Sequence, residues 1–271
     1  MKNRSRKFLS VVLSGIMAIS GMMQISASAA KGRLYNQFDS VWYNKTYYYR
    51  GAGGTLRSAG CGLFSLANAV YAVNGNKMNM DSLATWASKY GYWQPGGAGT
   101  YRDPFYSKVT AEFGGTYDFK ITGAYYYDVT SNGLKTWLEQ GNAAIAHVNN
   151  HFIALSGYDR KSGTFHVIES AETYGRSLCG YSWVTEYKLT RGQTDIDWFC
   201  LLQATQAEYF PQCGQDFESL IKALESVGAQ SSFDYRGKIY VANGFTDTFR
   251  GLAEQNIAML NLLKQGKLKK P

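Results

Sequence analysis

Midway along this chain hydrophobic periodicity switches from helical to strand-like, and that switch constrains the fold more than any single motif. From Cys61 to about Val73 the apolar residues Leu63, Phe64, Leu66, Ala67, Val70 and Tyr71 recur at helical spacing, with Gly60 and Gly62 bracketing the start. Further helical patterns run from Met80 to about Tyr90, with Asp81 and Ser82 as candidate caps, over 104–114, and from Ser131 to Gln140. After the turn at Gly141-Asn142 the chain breaks into short runs of strand-forming residues: AAIAHV, HFIALSGYD, TFHVIES, SWVTEYKLT and DWFCLLQA. Turn signals such as Asp159 to Gly163 and Arg191-Gly192 separate them. Helices followed by an antiparallel sheet predict an α+β domain, in which a side chain at a helix start can face one on a central strand.

Either side of this domain the sequence has a different texture. Lys2, Arg4, Arg6 and Lys7 precede an apolar run from Phe8 to Ile19, and Ala27, Ser28, Ala29 and Ala30 follow, so residues 1–30 read as a signal peptide and the protein as secreted or wall-associated. The run is too short and too interrupted by serines to span a membrane, which takes about 20 apolar residues. Residues 31–57, rich in Tyr, Gly and Asn, predict a surface arm with one or two short strands leading into a domain that occupies 31–205. A polar linker is expected at 206–215, and three helical patterns at 216–227, 232–243 and 251–264 then form a small helical domain over 216–271.

Charge and cysteine content narrow the function classes. Four cations and no carboxylate fall within residues 1–30, so their removal lowers the formal balance from +8 to +4. The remaining basic residues are scattered, which argues against a nucleic-acid partner. Cys61, Cys179, Cys200 and Cys213 show no C-x-x-C or mixed Cys/His spacing, so no metal site and no cofactor is expected. If Cys61 is a free nucleophile the other three cannot all pair, and their connectivity is not legible.

Two segments carry chemistry. In SAGCGLFSLANAV, Cys61 opens a helix, where the dipole and the first backbone N–H groups favour a thiolate and the flanking glycines let a substrate approach. The alternative is a small buried hydrophobe. In NNHFIALSGYD, His151 begins an apolar strand whose alternation groups it with Ile153 and Leu155 and places Phe152 and Ala154 on the other face. The chain has three histidines, and of these His151 fits a general base best, with His147 and His166 reading as packed or partly exposed residues. Glu169 follows eighteen residues later, across a hairpin, as the group to orient the imidazole.

At these segments the chain resembles the family-39-like peptidases of the papain clan, over roughly residues 34–204, and is similar in catalytic order to the bacteriocin leader-processing peptidase domain. The resemblance implies a papain-like fold and a cysteine peptidase. It also implies that Gln37, in YNQFDSVW, helps hold the oxyanion alongside the Cys61 backbone N–H. The family usually has Asp at the third catalytic position, often followed by Pro, where this chain has Glu169 and Ser170; Asn149, Asn150 or Asp159 are the other groups that could serve. The C-terminal segment resembles helical repeats of secreted Gram-positive wall-lytic proteins, which implies a hold on peptidoglycan or another wall polymer. A solvated tail is the alternative, because eight basic and seven acidic residues over 206–271 nearly balance. The expected activity is hydrolysis of amide bonds in extracellular proteins, peptides or peptidoglycan stems. An acyltransferase on the same triad and a non-catalytic peptide- or wall-binding module are the rival readings.

Overall fold

The computed structural model describes residues 34–42, 44–49, 52–94, 99–126, 130–171, 181–190, 195–205 and 208–271. The expected signal peptide and Cys179 lie outside them. A short 3-10 turn at Ser40–Trp42 and a hairpin of β1 (Thr46–Tyr49) and β2 (Ala52–Thr55) lead into α1 (Leu56–Ala59), whose N-cap Thr55 accepts from the Ser58 N–H. After Gly60 comes α2 (Cys61–Asn74), closed by Gly75 in the left-handed conformation at φ 78°. Residues Gly62 to Val73 of this helix are buried except Tyr71, so α2 is apolar nearly all round, which is how a helix at the centre of a core reads in sequence.

Three more helices and a small hairpin surround it. Helix α3 (Met80–Lys89) is capped by Asn79, whose side chain accepts from the Ser82 N–H, and not by Asp81 or Ser82, which fall inside the first turn. The stretch after it, expected to be only a Gly-rich loop, pairs β3 (Trp93–Gln94) with β4 (Gly99–Thr100). Helix α4 (Arg102–Tyr117) is longer at both ends than the expected 104–114, and α5 (Asn132–Glu139) starts at the Ser131 cap.

The large sheet contains a strand that the periodicity switch hides. β5 (Phe119–Tyr126) precedes α5, so strands and helices are less segregated than expected. With β6 (Ala143–Val148), β7 (His151–Asp159), β8 (Thr164–Ile168), β9 (Tyr181–Thr185) and β10 (Trp198–Ala204) it forms an antiparallel sheet in the order β5-β10-β6-β7-β8-β9. The run SWVTEYKLT is only half strand: β9 ends at Thr185 and α6 (Glu186–Leu189) follows. Alternation along β6 and β7 feeds two cores. Ala143, Ile145, Phe152 and Ala154 join α2, α3 and α4 on one face, while Ala144, Ala146, Ile153 and Leu155 join Leu134, Leu138 and Leu189 on the other.

A third core belongs to α7 (Leu220–Ser226), α8 (Phe233–Ala242) and α9 (Ala253–Lys264). Part of the expected linker packs into it: Phe210 and Cys213 are buried there, and the Phe210 N–H donates to the Leu268 carbonyl at 2.9 Å.

Candidate active site

Cys61 occupies the first position of α2, and its neighbours fix the backbone on either side. The Trp93 indole N–H donates to the Ala59 carbonyl at 2.7 Å, and the Tyr106 hydroxyl donates to the Gly62 carbonyl at 3.0 Å. Thr100 lies over Gly62 so closely that a Cβ on that glycine would stand 2.3 Å from its Oγ1. A side chain at this position would therefore displace Thr100, so glycine is what lets β4 approach the start of α2.

His151 opens β7 after Asn150, which takes a left-handed φ of 56° in the turn from β6. Its ring meets the Cys61 thiol on one side. On the other, Nε2 bonds Oε1 of Glu169, immediately beyond β8, leaving Nδ1 to the sulfur. His151 is 5% exposed and Glu169 1%. The same Oε1 accepts the Ala171 N–H at 2.9 Å, which holds the carboxylate in place. Asp159 lies at the far end of β7, where it closes the turn to β8 through Lys161 and Ser162.

The electrostatics follow from these contacts. Burial alone would push the Cys61 thiol up, but the bond to His151, its charge and the Phe152 N–H outweigh it and bring the thiol below its ordinary value. Burial likewise works against the charged form of His151, yet Cys61 and Glu169 raise it to about 9. Both shifts act toward a thiolate and an imidazolium, the pair of forms in which a cysteine is nucleophilic.

Gln37 is buried beside this cluster. Its backbone N–H donates to the Ser170 carbonyl at 2.8 Å, and its Nε2 donates to the Arg57 carbonyl at 2.7 Å, four residues before Cys61. One amide N–H is so engaged and the second remains for another acceptor. The other histidines have partners of their own: His166 Nδ1 lies 2.5 Å from the Ser156 hydroxyl, and His147 Nδ1 lies 2.7 Å from Asp197. Sequence reading missed Thr100, Tyr106 and Asp197, which are placed by the β3–β4 hairpin, by α4 and by the lead into β10, inserted between β5 and β6.

Among the described residues no group of three or more His, Cys, Asp or Glu side chains could hold a metal ion, and Cys61, Cys200 and Cys213 are free thiols. None of their helices is long and apolar enough to cross a membrane. A family model described as "Peptidase_C39 like family" matches residues 32–193. No curated protein and no solved structure matches the chain.

Proposed function

Because the chain belongs to the Peptidase_C39 like family, we propose that it is a secreted cysteine peptidase or amide hydrolase in which Cys61 is the nucleophile and His151 its acid and base. The observation that carries this reading is the buried chain of contacts from Cys61 through His151 to Glu169 at the N-terminus of α2. The Cys61 sulfur attacks an amide carbonyl carbon, and the carbonyl oxygen takes up the negative charge. The Cys61 backbone N–H and the second Nε2 N–H of Gln37 stabilise that oxyanion. As the C–N bond breaks, His151 gives its proton to the leaving amine. It then takes a proton from water, whose oxygen attacks the thioester and releases the carboxylic acid and the resting thiolate. Glu169 holds the ring in the tautomer and orientation that both transfers need.

The substrate is an extracellular protein or peptide, or the peptide stem of peptidoglycan, with residues 1–30 directing export and the C-terminal helices holding the enzyme at the wall. Iodoacetamide labelling of the full chain between pH 4 and 9, with peptide mapping, tests the site. Fast labelling of Cys61 below pH 7 that slows in His151→Ala is expected. An ordinary thiol profile unaffected by the substitution would replace this reading with a non-catalytic binding module.

A further inference from the structure

Helix α2 carries a polar residue on the stripe that begins with Cys61. Asn68 stands two turns further along, so it lies on the same side of the helix as the thiol, with Phe64 between them. Asparagine is a poor helix-interior residue and is costly to bury unless its amide is bonded, yet Asn68 is 0% exposed. Its partners are all backbone groups of the segment that precedes the β1–β2 hairpin. Oδ1 accepts the N–H groups of Leu34 and Tyr35, each at 3.0 Å, and Nδ2 donates to the Tyr35 carbonyl at 3.1 Å. Both acceptor positions of the amide oxygen are so used, and the oxygen must face the N–H groups while the nitrogen faces the carbonyl.

Gln37 follows Tyr35 by two residues on that segment. The Tyr35 hydroxyl donates to the Met78 carbonyl at 2.6 Å, and its ring lies 6.4 Å from that of Phe64 between centroids. Beyond it the Gln37 backbone N–H reaches the carbonyl of Ser170, the neighbour of Glu169, and the Gln37 amide reaches the carbonyl of Arg57. Residues 34–37 are thus a strap from the flank of α2 to the end of β8, and Asn68 fixes its register on the helix. A slip of one residue would bring Asn36 or Phe38 to the place of Gln37.

We propose that Asn68 is a positioning residue for the oxyanion site: by fixing the strap on α2 it holds the second Nε2 N–H of Gln37 where the oxyanion forms, beside the Cys61 backbone N–H. Asn68 itself touches no reacting atom. This role rests on the thiol-hydrolase reading above, in which Gln37 stabilises the oxyanion, and the test separates the two.

Two reagents meet the same sulfur and differ in whether an oxyanion forms. With p-nitrophenyl acetate the sulfur adds to the carbonyl carbon, the carbonyl oxygen takes the electron pair, and p-nitrophenolate leaves as the C=O bond re-forms, giving an S-acetyl enzyme. With iodoacetamide the S–C bond forms as iodide leaves, and no carbonyl is attacked. Both rates are measured at Cys61 of the full chain at pH 7.5 by intact mass and peptide mapping. The ratio of acylation to alkylation then reports the oxyanion site apart from the reactivity of the thiol. Gln37→Ala is expected to lower the ratio by about tenfold or more. Asn68→Ala lowers it several-fold with alkylation unchanged, and lowers it no further in the Gln37→Ala background. Asn74→Ala, which removes bonds from the far end of α2 to the Tyr117 and Asp118 carbonyls, leaves the ratio unchanged. Should Asn68→Ala fail to fold, Asn68→Asp keeps both acceptors, loses the N–H given to Tyr35, and is expected to lower the ratio in the same way. A ratio that Gln37→Ala or the Asn68 variant does not move, or acylation and alkylation that fall together, overturns the positioning role. A wild-type Cys61 that alkylates no faster than a free thiol overturns the hydrolase reading, and this role with it.

Discussion

Glu169 has one methylene more than the aspartate that the resemblance leads one to expect, and its carboxylate sits just past β8, fastened by the Ala171 N–H while it bonds His151. Glu169→Gln keeps the shape and removes the charge, so His151 gives up its proton more readily. Cys61 labelling at pH 6 should slow as the imidazolium is lost, read from the full pH profile. Stability follows with a definite sign. His151 titrates at about 9 in the folded chain and near 6.5 when unfolded. Its contribution is therefore complete below about pH 6.5 and lost as the pH rises through about 9. Cys61 runs the other way, since a lowered thiol contributes above its ordinary value and loses that contribution as the pH falls. Because the two contributions offset each other up to the ordinary thiol value, thermal melts should show the gap between wild type and His151→Ala closing as the pH rises through about 9, and a gap that stays constant there would contradict the buried pair. Cys61, His151 and Glu169 were legible because each stands beside a local signal: a helix start, a strand start, a hairpin. Asp197 was not, since its partnership with His147 spans fifty residues and depends on the strand order.

The elements that carry the site are held by close approach. Gly62→Ala places a methyl against Thr100 on β4 and should cost about 1–3 kcal/mol in urea unfolding, with slower Cys61 labelling as the β3–β4 hairpin is pushed aside. Wild-type labelling in that variant would show that the hairpin has no part in shaping the site. Most elements were readable from periodicity, α2 most of all, because burial on every side leaves an almost unbroken apolar record. The errors have physical causes. β5 carries Lys120 and Gly123 and is an edge strand covered by α4, so its pattern is weaker than that of β6 or β7. EYKL continues the residue types of β9 yet turns helical after Thr185, a change made by packing of Leu189 into the second core.

At the scale of the molecule, an α+β papain-like unit is followed by C-terminal helices, and the two are joined by more than the chain between them. Lys269, whose backbone is held at both ends by the Asn243 side chain, pairs its ammonium with Asp118, which closes α4 at a left-handed φ of 52°. Both side chains are about 15% exposed, so Lys269→Met leaves the Asp118 carboxylate with only the Asn76 amide and should cost about 2 kcal/mol. The double variant with Asp118→Asn should cost less than the sum of the single changes. Chemical denaturation of the four chains measures the difference, and strict additivity would show that the contact is idle. This attachment had no sequence signal beyond a lysine-rich end that reads equally as a solvated tail. The last residues also return to where the bundle begins: Tyr209 bridges Lys269, and the Lys270 N–H donates to Glu208 at 2.6 Å. The helical segment is a closed ring of chain fastened at its neck, so a protease that nicks the connection between α7 and α8 produces fragments that still travel as one particle on a native gel and part only in denaturant.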